Sequence, residues 1–298
     1  MHSFIYAFTV FMCTIYSFIS ALGIIPGDRY KPDTFPIYEA EEKQDDALRI
    51  LSYNIRYGQV NGVSRLFRSE IGLKQIEQIK PDSFGVQEAT PEWMRFLREG
   101  LEDYADVGVA RDDGNNLGEY CAVFYDKTVY DCLDSGNFWL STTPEKPSRD
   151  WNTGSTRICT WAKLKNRETG FIYVHVNTHL DNASEEARDK GSALIVDFIK
   201  ENFADIPVVL TADLNSHSDE VGYINLTSVL NDSKLIAAEK YEYGTFHDGK
   251  PEKIRDDVID YVLCSDDFDV LVYKVVTAGI DGRMTSDHFP IYADLKVK

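Results

Sequence analysis

Positive charge is scarce in this 298-residue chain: 31 Lys and Arg stand against 49 Asp and Glu, a formal net charge of -18. Sequence-independent affinity for nucleic acid comes from Lys and Arg displacing counterions, so this balance excludes a broad phosphate-neutralising face. A polyanion would have to be met by a local basic rim and a bound cation. Cysteine is sparse too. No C-x-x-C pair occurs, which argues against structural zinc. Cys13 lies in the N-terminal apolar run, and Cys121, Cys132, Cys159 and Cys264 sit among strand-like apolar residues. In a core of this size those four read as buried free thiols, with disulfides as the alternative for an exported chain. Internal repeats and low-complexity tracts are absent, so the chain is not a repeat array.

Long apolar runs are missing after the first, Phe4 to Leu22. With small residues at Ala21-Leu22-Gly23 and no Lys or Arg beside the run, residues 1–23 read as a signal peptide and the protein as secreted. An uncleaved signal anchor is the rival reading, since about 20 apolar residues also span a bilayer. If the signal is cleaved, no stable membrane insertion is expected. Asn-x-Ser/Thr triplets at Asn182, Asn225 and Asn231 fit a secretory route, weakly. Residues 24–46 form an acidic polar linker, and residues 47–298 read as one domain, expected to be monomeric.

Within that domain the pattern alternates short strands with a few helices. Strands are predicted at 49–54, 83–87, 121–125, 129–133, 158–164, 171–178, 207–211, 258–263 and 289–297. In the last, Phe289, Ile291, Ala293, Leu295 and Val297 share one face while Tyr292, Asp294 and Lys296 face the other way, the mark of a half-buried strand. Helices are predicted at 69–80 and 184–202, with a short third one started by Thr90-Pro91. This order suggests two packed mixed β-sheets flanked by helices, an α/β sandwich.

Polar residues with chemistry in them close the apolar runs. Asp213 and Asn215 follow Val208-Val209-Leu210-Thr211-Ala212; two apart on an extended chain, they share a face and offer oxygens to a hard cation or a water. An Asx turn is the structural alternative. Glu88 closes Phe84-Gly85-Val86-Gln87, and Asn54 closes Ile50-Leu51-Ser52-Tyr53. Asp260 lies inside Val258-Ile259-Asp260-Tyr261-Val262, where an acid needs a cation or imidazolium to meet. Asp287-His288 precedes the last strand, a carboxylate beside an imidazole. His179 ends a strand; His175, His217 and His247 read as satisfied structural histidines. The set is rich in oxygen and lacks thiolates or grouped histidines, which favours Mg²⁺ or Mn²⁺ over Zn²⁺.

The ordered series Leu51-Ser52-Tyr53-Asn54-Ile55, Phe84-Gly85-Val86-Gln87-Glu88, Asn177-Thr178-His179-Leu180, Thr211-Ala212-Asp213-Leu214-Asn215, Ile259-Asp260-Tyr261 and Ser286-Asp287-His288-Phe289-Pro290 resembles the endonuclease/exonuclease/phosphatase superfamily. The resemblance runs from about Leu48 to the end of the chain and implies a four-layered sandwich with its site at one edge. It implies Glu88 as the main metal ligand, helped by Asn54 and Asp287. It implies Asp213 and Asn215 as the residues that orient water and phosphate, and His288, held by Asp260, as base or charge stabiliser. His179 would contact the phosphate or assist the leaving oxygen, and Arg157 resembles a phosphate-contacting arginine. The sequence departs from many relatives in having Ala212 rather than Gly before the acid and Leu214 rather than Phe after it. Gly118-Glu119-Tyr120 and Asp134 to Ser141 resemble a branch often named after the deadenylases.

The resemblance implies a Mg²⁺-dependent phosphoester hydrolase, with a phosphodiesterase acting exonuclease-like on RNA or DNA as the first expectation. A phosphomonoesterase or small-substrate enzyme for phosphorylated sugars or lipid headgroups is the second, with Arg56, Arg157 and Arg283 closing on a compact anion. A catalytically dead binding module is the third, and it would require a missing ligand residue. Trp139 and Trp151 are candidates to stack a base, with simple packing as the alternative.

Overall fold

Apolar strands and helices that carry a single apolar stripe bury that surface by layering. The computed structural model shows this for residues 42–60, 65–250, 256–277, 279 and 284–298. The expected signal peptide, the linker up to residue 41, and Arg283 lie outside the described residues. Among the described residues no helix is long and apolar enough to cross a membrane.

In chain order the strands are β1 (Leu48–Asn54), β2 (Ser83–Gln87), β3 (Tyr104–Val107), β4 (Val123–Asp126), β5 (Tyr130–Trp139), β6 (Ile158–Asn166), β7 (Ile172–His179), β8 (Val208–Asp213), β9 (Asn231–Asp232), β10 (Glu239–Tyr241), β11 (Asp260–Cys264), β12 (Phe268–Val275) and β13 (Ile291–Val297). The helices are α1 (Arg65–Ile79), α2 (Pro91–Gly100), α3 (Glu185–Asn202), α4 (Val221–Thr227) and α5 (Ser233–Ile236). One sheet has the order β10-β12-β13-β1-β2-β4-β3, the other β5-β6-β7-β8-β11-β9. Both are mixed, because β1 pairs parallel with β2 and β7 parallel with β8 inside otherwise largely antiparallel sheets. The sheets face each other across a core that includes Ile50, Val209, Val262, Phe289 and Leu295. Ile76, Ile79, Trp93 and Leu97 cover the outer face of the first sheet. Ile195, Ile199 and Leu226 cover the second. The result is the four-layered α/β sandwich.

Helix starts follow local chemistry. Thr90 accepts the Trp93 backbone N–H ahead of Pro91, and Ser184 accepts that of Ala187 ahead of Glu185 and Glu186. These caps satisfy donors the first turn cannot. The last strand departs from its half-buried expectation: Tyr292 and Asp294 are buried along with the apolar face. Helix α1 and its neighbours cover that side, and Asp294 is met there by Arg49 at 2.7 Å.

Near one end the inter-sheet core turns polar. Ser83 and Thr211 bond the two ring nitrogens of His175 at 2.8 and 2.9 Å. Asn177 donates to Val86 O and Ala122 O and accepts from Gln87 Nε2 at 2.7 Å. Gly85 makes this seam possible, since a Cβ there would stand 2.0 Å from Thr211 Oγ1 and 2.4 Å from Asn177 Oδ1.

Candidate active site

The two parallel strand pairs end at the same edge, and their last residues form the site. In one sheet Asn54 lies opposite Gln87, the residue before Glu88; in the other His179 lies opposite Asp213. Asn54 Nδ2 donates to Asp213 Oδ2 at 2.8 Å and to Glu88 Oε1 at 3.1 Å, so one amide ties the sheets together. The chain then bends sharply. Arg56, Glu88 and Asn215 all take positive φ, 59°, 59° and 46°, an uncommon conformation outside glycine that stores roughly 1–3 kcal/mol where the fold enforces it.

Asn215 is therefore not the extended partner of Asp213 that the spacing suggested. The Asx turn is what forms: the Asn215 backbone N–H donates to Asp213 Oδ1 at 2.9 Å. The turn still serves the site. Asn215 Nδ2 donates to Leu180 O at 3.0 Å, which fixes the amide's orientation, and the same nitrogen stands 2.9 Å from His179 Nε2. His179 Nε2 is thus an acceptor and its proton sits on Nδ1, a buried atom without a hydrogen-bond partner among the described residues.

His288 faces Asp213 from the other side, with Nε2 3.8 Å from Asp213 Oδ2 and Nδ1 2.9 Å from Asp260 Oδ2. Asp260 opens β11 instead of lying inside it, and pairs in register with Asp213. Phe246 packs on the His288 ring at 4.9 Å. Asp287 reaches towards Arg56, whose Nε is 3.4 Å from Asp287 Oδ2 and whose Nη1 is 3.8 Å from Glu88 Oε1.

These groups shift one another. Burial works against an imidazolium at His288, but the Asp260 carboxylate overcomes it and holds the ring's pKa well above the usual value. Burial, then the neighbouring Asp260, raises the Asp213 carboxyl. His179 moves the other way: burial, then the guanidinium groups of Arg157 and Arg111, push it well below the ordinary histidine range. One imidazole is charged and the other neutral, a division suited to acid and base roles.

Asp213, Asp260 and His288 bring ligand atoms within 4.8 Å of one another. Asp260 already holds the His288 Nδ1 proton at 2.9 Å, so the imidazolium offsets one of the trio's two carboxylates and stands 3.8 Å from the other, Asp213. The shortage of positive charge continues beside the trio. Glu88, Asp213 and Asp287 are each buried, and Arg56 meets Glu88 and Asp287 only through ion pairs of 3.8 and 3.4 Å, its Nε making no hydrogen bond among the described residues. Buried carboxylates cost several kcal/mol apiece unless a cation meets them. Asn54, Glu88 and Asp287 supply oxygens without thiolate, so the residues fit a hard divalent cation such as Mg²⁺.

The remaining positions divide. Arg157 is buried, with Nε 3.1 Å from Asp181 and Nη2 3.0 Å from Asn182 Oδ1, leaving Nη1 without a hydrogen-bond partner among the described residues. Asp181 also accepts the backbone N–H groups of Gly154, Ala183 and Ser184, a clamp the sequence reading missed. Also missed were Arg111 and Glu119, an ion pair of 2.8 Å whose charges act on His179 and Glu88. The Gly118-Glu119-Tyr120 signal was visible, but its chemistry was not. Trp139 is packing: it is buried, and its indole N–H donates to Arg111 O at 2.7 Å. His175 is satisfied as expected, whereas His217 is exposed and neither ring nitrogen of buried His247 has a hydrogen-bond partner among the described residues.

The sequence model of the Endonuclease/Exonuclease/phosphatase family matches residues 51–288. No curated protein matches the chain. Among solved structures, an endonuclease/exonuclease/phosphatase from Bacteroides vulgatus is 33% identical, with 85% of this chain and 99% of that one covered and a TM-score of 0.79. The Bacteroides thetaiotaomicron mannosyl-6-phosphatase is 31% identical, with 83% and 99% covered and a TM-score of 0.79. The human Nocturnin catalytic domain with bound sulfate shares the fold at 19% identity, with 86% and 97% covered and a TM-score of 0.66.

Proposed function

The chain belongs to the endonuclease/exonuclease/phosphatase family of phosphoester hydrolases, and from that premise we propose that it is a Mg²⁺-dependent phosphomonoesterase acting on small phosphorylated sugars. The observation that carries this reading is a pair of buried donors without hydrogen-bond partners among the described residues, Arg157 Nη1 and His179 Nδ1. They suit one compact anion, and they stand opposite a carboxylate-rich wall. A chain of net charge -18 has little with which to follow a polynucleotide backbone. The likeness to a mannosyl-6-phosphatase supports the same ranking, which lifts the monoester above the nuclease that the sequence alone put first.

Glu88, Asn54 and Asp287 would hold a divalent cation, which would supply charge neutralisation to the phosphoryl group. Arg157 Nη1 and His179 Nδ1 donate hydrogen bonds to its oxygens, and Asn215 fixes the His179 tautomer that makes this possible. Asp213, its carboxyl raised by burial and by Asp260, takes a proton from the attacking water. His288, kept protonated by Asp260, stabilises the charge that grows at phosphorus. With all eight positions of the motif series filled, from Asn54 to His288, the dead-module reading has nothing to rest on. Secretion is part of the proposal, on the N-terminal apolar run, and N-terminal sequencing of the exported protein checks it.

The test is release of inorganic phosphate from mannose 6-phosphate, with Mg²⁺ and with EDTA, beside an Asp213→Ala control and parallel assays on bis-p-nitrophenyl phosphate and single-stranded RNA. Metal-dependent phosphate release lost in the control is expected. Cleavage of the diester or RNA with no phosphate released would overturn the monoester reading in favour of the nuclease.

A further inference from the structure

We propose that Arg111 and Glu119 form a subsite for the hydroxyl groups of a neutral polyol next to the scissile phosphate. The inference rests on the phosphomonoesterase reading and names what that site holds beyond phosphorus.

Placement comes first. The loop between β3 and β4 is stitched to the residue after Glu88: Tyr120 N–H donates to Ala89 O at 2.7 Å, and Tyr120 bridges both Ala89 and Ala110. Glu119 therefore stands at the rim where Glu88 turns inward, and the charges of Glu88, Arg111 and Arg157 all act on it. The loop is ordered by its own bonds, Arg111 N to Glu119 O at 3.0 Å and Asp112 N to Leu117 O at 3.0 Å. Gly118, at φ +94°, fits where a Cβ would meet Asp112 Oδ2 at 2.4 Å. Trp139 holds the Arg111 carbonyl from below.

Chemistry comes second. Arg111 and Glu119 meet through Nη1–Oε2 at 2.8 Å and Nη2–Oε1 at 3.0 Å, while Arg111 Nε is buried, makes no hydrogen bond among the described residues and stands 4.0 Å from Asp112 Oδ1. A carboxylate with lone pairs to spare, paired with a guanidinium that keeps an N–H outside any hydrogen bond, offers an acceptor and a donor in one loop, which is what a hydroxyl, itself both, requires. The pair is partly buried, its side chains 11% and 15% exposed, and an ion pair so placed is weak evidence of a purely stabilising role. Burial raises the Glu119 carboxyl in spite of Arg111, and Glu88 adds to the rise. Because Arg111 and Glu119 offset each other's charge, the pair presents no net positive charge to a second phosphate, and an uncharged hydroxyl-bearing group suits it.

The test compares kcat/KM of wild type and Glu119→Gln on mannose 6-phosphate, on 5′-AMP and on p-nitrophenyl phosphate, which lacks hydroxyls. The subsite requires a loss at least tenfold greater on a hydroxylated substrate than on the aryl phosphate, and whichever substrate suffers it identifies hexose or ribose as the polyol. Equal losses on all three, or none, overturn it. Arg111→Lys, which keeps the charge but not the fork, repeats the comparison if Glu119→Gln fails to fold. Binding is read apart from turnover, as the rise in unfolding midpoint that mannose 6-phosphate gives the Asp213→Asn protein with Glu119 intact or changed to Gln. If wild type hydrolyses none of the monoesters yet Glu119-dependent binding persists, the proposed activity fails and the subsite stands. Without that binding both fail.

Discussion

His175 sits wholly inside the protein between two hydroxyls, and burial lowers its pKa from 6.5 to about 3. The unfolded chain takes up the proton near 6.5, so between 6.5 and about 3 it binds more protons than the native state. Stability is therefore full above that window and falls as the pH drops through it, by about 1.4 kcal/mol per pH unit for one proton. Urea unfolding across pH should show a slope shallower by that amount in His175→Gln; an unchanged slope would assign the titration elsewhere. In the site, Asp260→Asn removes the charge that keeps His288 protonated. The turnover of mannose 6-phosphate is expected to drop by about 100- to 10,000-fold, with a smaller change in KM, as read by steady-state kinetics. Asn54, Glu88, His179 and Asp213 could be singled out one by one, because each is a polar group that closes an apolar run. Arg111 and Glu119 could not: an arginine followed by Asp112 and Asp113 reads as a solvated turn, and its partner lies eight positions further on, across a loop.

At the scale of elements, the position of Gly85 in β2 decides how closely the sheets approach. Gly85→Ala places a methyl into Asn177 and Thr211, which belong to strands β7 and β8 and cannot swing away. Overpacking of this kind costs about 1–3 kcal/mol, to be measured as a lower unfolding free energy, and activity should fall with it because Asn54 and Asp213 would move apart. A variant as stable and active as wild type would show that the seam yields. The strands read from the sequence all form, with shifted ends. β12 was missed for a physical reason. A bulge between Val270 and Val272 switches its buried face from Phe268 and Val270 to Tyr273 and Val275, and the period of two is lost. In β13 the period was present but misleading, since an inner strand of a four-layered sandwich is covered on both sides and polar Asp294 is buried against Arg49.

For the molecule as a whole, the excess of acids sets a repulsive field around a site whose substrate is an anion. Raising the salt from roughly 0.01 to 0.15 M shrinks the Debye length from about 30 to 8 Å, so kcat/KM for mannose 6-phosphate should rise by about two- to fivefold. A fall would mean that the local arginines outweigh the global charge. The architecture has a temporal consequence as well. Glu88 and Asn54 belong to one sheet, His179 and Asp213 to the other, and the polar seam of His175, Asn177 and Gln87 sets their alignment. A refolding chain with both sheets formed but not yet docked would carry native backbone signals and no competent site. Recovery of activity should therefore trail the recovery of secondary structure, and the enzyme's own turnover would time the last step of its folding.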